Sequence, residues 1–452
     1  MKKAVSLIMA ALMSVGLLSG CGGEQQASDV EVITVWTNQG HTKDIVVNLV
    51  DEFNNSIGKE QGIKIEYTVQ GGDYKNMIDM AIQSGQAPDM FQVQGSRLPY
   101  IKNGSIIPLE DLPLSDGFMD KYDGLLRDQA EVFDGKTYAV PFDYTTIGLL
   151  YNKDMFKAAG IVDENGEATP PKTFDEMIDY AKRLTNPQEK VYGFALPMKW
   201  GGFFDYYMSM PIYASTGRTG YDYANQTYDF SFMKLAFDWL LQIKNDNSYF
   251  PGPEGLDNDP ARAQFAEGRI GMMFGATWDV GVLNEQFVAK CDWDVAPIPV
   301  WDENNRYKQS GFTASFLEVG ANAKNKDLNK VATVYEWFNS DEFIQKLYEE
   351  CKVIPYSDRI VQNSNAPADK KGWKGFADMV AISYQNPTTP SVKLEGDTAS
   401  TVYNRIWAGE TGVEEGLNDL TTRYNQALEK GVADGSIDLS LYETEITGNT
   451  LD

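Results

Sequence analysis

The 452-residue chain carries one histidine, His41, and three cysteines, Cys21, Cys291 and Cys351. That inventory closes off most catalytic chemistry. A His-based zinc centre needs several imidazoles, and no cysteine spacing here resembles a set of zinc ligands. A Ser-His-Asp triad would have to use His41 itself, and no Gly-x-Ser-x-Gly elbow is present to partner it. No metal and no cofactor are expected. Cys291 and Cys351 could pair in an oxidising compartment, provided their α-carbons come within ~6 Å. Carboxylates are plentiful, 65 Asp and Glu against 39 Lys and Arg, for a net charge of −26. Such a surface repels phosphate backbones and anionic headgroups, so nucleic-acid binding is excluded as a function class. Paired carboxylates about 5–9 Å apart would suit glycan cleavage, but no local motif marks such a pair.

The elements that must position these residues alternate between strand and helix. Val30 to Trp36 alternates and is rich in β-branched residues, which predicts a strand. Thr42 is the expected cap of a helix with Ile45, Val46, Leu49, Val50 and Phe53 on one face. Ile63 to Val69 is a second strand, Tyr74 to Ser84 a helix ended by Gly85, and Met90 to Val93 a third strand. The order β-α-β-α-β predicts a mostly parallel sheet of the α/β class. Strand-like segments follow at Tyr138 to Pro141, Ile147 to Tyr151, Val191 to Leu196 and Ile270 to Phe274. Helices are expected from Thr173, over Ser231 to Lys244 with Trp239 in the core, over Ala261 to Glu267, and over Val413 to Lys430. With 42% hydrophobic residues the chain can fill a sizeable core, and its length suggests two or three domains.

The N-terminus points outside the cytoplasm. Lys2 and Lys3 precede an uncharged run from Ala4 to Leu18, which at roughly 15 residues is too short to span a bilayer and fits a signal-peptide core. Leu18-Ser19-Gly20-Cys21 then resembles the lipobox of bacterial lipoproteins, which implies cleavage after residue 20 and lipidation of Cys21. Residues 21–29 are polar and Gly-rich and read as a flexible tether. The expected location is the outer face of the cell membrane or the periplasm, held by a lipid anchor.

Five segments carry a wider resemblance. They are Ala81 to Met90 with its Gly85 and Pro88-Asp89; Tyr138-Ala139-Val140-Pro141-Phe142 running into Tyr151-Asn152-Lys153-Asp154, with Pro170 to Glu176 beyond; Phe265 to Met273 followed by Gly275 and Trp278; Asp294 to Pro299; and Ala323 to Asp327 with Ser340-Asp341. In this order they resemble the extracellular solute-binding proteins of bacterial ABC importers, in the sugar-binding family that includes maltose-binding protein. The resemblance implies two α/β lobes of the periplasmic-binding-protein type, each discontinuous and joined by a hinge. It places lobe 1 at 30–143 and 307–345 and lobe 2 at 144–306 and 346–452. It further implies a carbohydrate, an oligosaccharide by the chain's length and aromatic content, held in the interlobe cleft. ABC permease subunits are the expected partners of a monomeric binding protein. The hinge is expected near Asp143 to Thr146 and Val300 to Gly311.

A sugar presents C–H faces that stack on aromatic rings and hydroxyls that need convergent donors and acceptors. On this basis the candidates from one lobe are Trp36, Gln39 and His41 after the first strand, and Arg97 after the third. From the crossover and the other lobe come Asp143, Thr145, Trp200, Phe203, Trp278, Asp279 and Phe312. Thr145 stands where maltose-binding protein has a carboxylate contact, with Asp143 near enough to substitute. Asp89 reads as structural, serving its own Pro-Asp turn. Three rival readings stay open: a binding protein for a non-sugar solute, a sensory module of the same fold, and, more remotely, a glycan-cleaving surface enzyme.

Overall fold

The computed structural model describes residues 30–71 and 73–451. The signal segment 1–20, Cys21 and the whole tether 21–29 lie outside the described residues.

The first sheet is built by the predicted alternation. Strand β1 (Glu31–Thr37) buries Ile33, Val35 and Thr37 on one face, and β2 (Ile63–Val69) pairs with it in parallel, Glu31 opposite Ile63 and Thr37 opposite Val69. The short β3 (Met90–Phe91) lies parallel on the other side of β1, and Glu318–Val319 returns antiparallel to β3. Helix Lys43–Asn55 turns Val46, Val50 and Phe53 inward. Thr42 does occupy its N-cap position, but without a side-chain cap; its hydroxyl donates instead to the Gln39 carbonyl at 3.0 Å. Asp89 is structural, its Oδ2 accepting from the N–H and the hydroxyl of Thr34, both at 2.8 Å.

The second sheet is organised by β4 (Asp143–Asn152). Nearly every residue of β4 is buried, the pattern of a strand covered on both faces. Its first residues pair antiparallel with Gln309–Ala314 on one side and with Ile354–Pro355 on the other. Its later residues pair antiparallel with Ile270–Ala276 and with Trp293–Ala296. The sheet is therefore mixed rather than mostly parallel. Tyr138 to Pro141, expected as a strand, joins no ladder. The helix from Thr173 forms as Phe174–Arg183 with a full capping box, Thr173 Oγ1 accepting from the Glu176 N–H at 3.1 Å.

Two large cores result. One gathers Ile33, Val35, Phe53, Phe142, Phe316, Phe338, Leu347 and Ile360. The other gathers Leu149, Phe174, Phe194, Trp239, Phe274 and Trp407, flanked by a smaller cluster around Leu150, Phe265 and Trp293. Phe142 packs in the first core and Ile147 in the second; Phe312 packs on the second and Phe316 in the first. The chain thus passes between cores at 142–147 and 312–316, and again after Ile360. Cys291 and Cys351 are buried free thiols of the smaller cluster, donating to the carbonyls of Phe265 and Ala368. Among the described residues no helix is long and apolar enough to cross a membrane, and no group of His, Cys, Asp and Glu is placed to hold a metal ion.

Candidate functional site

A cavity of about 670 Å³ opens between the two cores, within the size range of small-molecule sites. Its first wall carries Arg97, Arg127, Gln129 and Phe133; its second carries Asp205, Ser209 and a set of tyrosines that includes Tyr221, Tyr403 and Tyr424. Asn386 to Val392 runs along one side.

The first wall holds its cations by buried anions. Glu318 is fully buried at the edge of the first sheet. Its Oε2 accepts from the Val93 N–H at 2.6 Å and its Oε1 from Arg97 Nε at 2.7 Å; Arg97 also donates to the Ala130 carbonyl at 3.0 Å. Arg127 is gripped in the same way by Glu131, with Nε to Oε2 at 3.1 Å and Nη2 to Oε1 at 2.8 Å. Each guanidinium is charge-neutralised and fixed in orientation, which leaves directed N–H donors for polar groups in the cavity.

The second wall turns on a π-helical turn, Asp205–Ser209, a local irregularity often found at functional sites. Asp205 is exposed in the cavity wall, and desolvation by its neighbours raises its carboxyl pKa. Tyr206, next in the turn, anchors an aromatic platform. Trp200 stacks on it at 5.5 Å and 22°, Trp278 meets it edge-on at 5.9 Å, and Phe312 lies 5.5 Å away. All four rings are half-buried. Gly202 lets the first pair close, because a Cβ there would fall 2.5 Å from Trp200 Cζ2 and 2.7 Å from Tyr206 Cδ2.

The sequence-predicted residues divide into groups. Trp200, Trp278 and Phe312 come together in the platform, and Arg97 faces the cavity. Two candidates are turned inward instead. Phe203 is 1% exposed and packs edge-on against Phe204, and Asp279 is 0% exposed, accepting from Arg262 Nε at 2.6 Å and the Ala276 N–H at 2.7 Å. Both satisfy packing and local hydrogen bonding in the fold rather than opening to the cavity. Trp36 is half-buried against the Tyr74, Phe91 and Tyr100 cluster, and its carbonyl accepts from the Tyr74 hydroxyl at 2.9 Å.

Gln39 and His41 belong to a turn that meets the other core directly: Gln286 Nε2 donates to the Gly40 carbonyl at 2.7 Å, and His41 lies against Gly281. Burial there, with Lys352 and Arg262 adding to it, lowers the His41 pKa to about 3, so the ring is neutral at physiological pH. Thr145 is buried on β4 opposite Phe312. Asp143, 8% exposed, leaves Oδ1 without a partner among the described residues, and burial lifts its pKa to about 7.

Asp205, Tyr206 and Arg127 were missed at the sequence level. Asp205 and Tyr206 follow the candidate Phe203 by two and three residues, and the Arg127–Glu131 spacing is a legible i,i+4 pair. The tyrosines at 221, 403 and 424 had no such signal. Asp205 is the one acid among the described residues lining the cavity.

The family model for bacterial extracellular solute-binding proteins matches residues 40–343, more than half of the chain. The chain is 26% identical over 454 residues to a maltooligosaccharide ABC transporter solute-binding lipoprotein of Streptococcus pneumoniae serotype 4, covering 95% of this chain and 98% of that protein. It is 24% identical over 354 residues to a maltotriose-binding protein of Pyrococcus abyssi, covering 77% and 70%. Its fold is similar to that of the maltose/maltodextrin-binding domain MalE from Bdellovibrio bacteriovorus bound to maltotriose, with a TM-score of 0.67 at 19% identity over 88% of this chain and 100% of that one.

Proposed function

The chain belongs to the bacterial extracellular solute-binding proteins, and from that premise we propose that it captures an oligosaccharide in the cleft between its lobes and delivers it to the membrane subunits of an ABC importer. The observation that carries this reading is a cavity walled from both sides of the chain crossing, with Asp205 in its wall directly before Tyr206 of the Trp200, Tyr206, Trp278 and Phe312 platform. Half-buried rings supply flat apolar surface for C–H faces, while Asp205, Arg97 and Arg127 supply an acceptor and fixed donors for hydroxyls. Relatives named for maltooligosaccharide and maltotriose binding support the same class of solute.

The two-lobe division is drawn here from the packing. One lobe takes about 30–142 and 315–363, and the other about 143–314 and 364–451. Leu347, Val353 and Ile360 in the first core, and the pairing of Gln309 to Gly311 with Ser383–Gln385, support these limits over crossovers at 307 and 346. In this reading Cys21 bears the lipid that holds a monomeric protein to the membrane outside the cytoplasm. The turn of Gln39 and His41 stands at the lobe contact, Trp36 packs within the first lobe, and Thr145 and Asp143 stand at the hinge.

The test is a thermal-shift screen of residues 22–452 against malto-oligosaccharides, raffinose-type sugars and chitin oligosaccharides. A ligand at a hundredfold excess over its dissociation constant stabilises the fold by about 2.7 kcal/mol. Stabilisation by one sugar series is the expected result. A fold stabilised by peptides or polyamines and by none of the sugars overturns the reading.

A further inference from the structure

Residues 386–392 contain no regular secondary structure, yet they are held at several points. At their root, Ser383–Gln385 pairs in parallel with Gln309–Gly311 of the second lobe. The Pro387 carbonyl accepts from the Tyr223 hydroxyl at 2.7 Å, and the Pro390 carbonyl accepts from the Tyr228 hydroxyl. Two prolines fix φ within the span and reduce its freedom further. The segment is therefore a stiff projection of the second lobe.

Its middle touches the first lobe. The Thr388 hydroxyl donates to the Asp128 carbonyl at 3.1 Å. The Gln385 amide, turned so that its oxygen faces Arg127, accepts from Arg127 Nη2 at 3.1 Å. Arg127 is itself immobilised by the buried carboxylate of Glu131. Two stiff surfaces, one from each lobe, thus meet through the hydrogen bonds of two side chains, Gln385 to both terminal nitrogens of Arg127 and Thr388 to Asp128, at the wall of the cavity that both surfaces line.

We propose that Gln385–Pro390 is a strap that clasps the Arg127–Asp128 turn across the cleft, and that solute exchange requires this clasp to part. The proposal rests on the two-lobe reading above, but not on the identity of the solute. A clasp of two side chains suits a gate, because each net hydrogen bond contributes about a two- to tenfold bias toward closure, enough to shift a population and too little to lock it.

The test places spin labels on Lys59→Cys and Glu189→Cys, exposed positions on the two lobes, with Cys291 and Cys351 buried out of reach. Pulsed EPR then reads the interlobe distance with no sugar present. In a Gln385→Ala/Thr388→Val background the population of longer distances rises roughly tenfold. Thr388→Ser, which keeps the hydroxyl, retains the parent distribution. An unchanged distribution in the double variant overturns the clasp, whatever the protein binds. Association of a sugar that passes the thermal screen quickens in the double variant; unchanged or slower association overturns the gating role, while failure of every sugar in the screen counts only against the carbohydrate reading.

Discussion

Replacing Gly202 with alanine tests the aromatic platform without deleting a ring. The added methyl would fall 2.5 Å from Trp200 Cζ2 and 2.7 Å from Tyr206 Cδ2, so one ring must leave the 5.5 Å stack. Overpacking of this kind costs about 1–3 kcal/mol, and Gly202 lies in the turn before the helical run that opens at Phe203, so no helix-propensity gain offsets it. The loss of stability is modest, a fall in melting temperature of a few degrees. Binding suffers more. An aromatic side chain buries about 150–250 Å², so losing half of one ring's contact removes roughly 2–3 kcal/mol at 25 cal/mol per Å². Affinity should therefore fall by about thirty- to a hundred-and-fiftyfold. Calorimetry with a sugar from the thermal screen, beside a melting curve, reads both quantities, and Trp200→Ala is the matching deletion. A Gly202→Ala protein that melts lower yet binds with parental affinity would show that the stack is packing alone.

The remaining predictions concern charge and anchoring. Asp143 has its pKa raised to about 7 by burial, above its unfolded value, so its contribution to stability is complete below about pH 4 and is lost as the pH rises through 7. Asp143→Asn should therefore gain stability over the parent between pH 5 and pH 8, and a constant difference in denaturation midpoint across that range would refute this. His41 has its pKa lowered to about 3, so the unfolded state takes up its proton first and stability declines as the pH falls from about 6.5 toward 3. Its imidazole resonances should not titrate between pH 5 and 8 in NMR spectra; a midpoint near 6.5 would contradict its burial. Cys21→Ser should release the protein from membranes or leave it unprocessed, and mass spectrometry showing an unmodified N-terminus elsewhere would refute lipidation.

Much of the secondary structure in both lobes is written in local pattern. Ile63–Val69 forms as the alternation predicts, and the Thr173 cap and Glu176 reciprocate as their spacing implies. These features depend on neighbours a few residues away. The site is different in kind. Tyr221 faces the same cavity as Tyr403 and Tyr424 from far away in the chain, and nothing in their immediate sequence distinguishes them from core aromatics. Phe203 and Trp200, three residues apart in one Gly-flanked segment, part ways because the local turn sends one ring into the core and leaves the other half exposed. Asp279 looked like an acceptor beside a ring until Arg262, on a separate helix, claimed it.

The edge strand Glu318–Val319 has a consequence for how the chain comes to be folded at all. It completes the first sheet beside Met90–Phe91, and Glu318 satisfies the Val93 N–H across 225 residues of sequence. Closing so long a loop is entropically costly and slow, and the first core gains nothing from it until Phe316 to Ile360 exist. A chain threaded N-terminus first through a secretory pore would keep its opening third from locking until most of its length had emerged. Delayed folding of this kind is what a narrow export channel requires, and here it arises from the order of strands in a sheet rather than from any separate restraint.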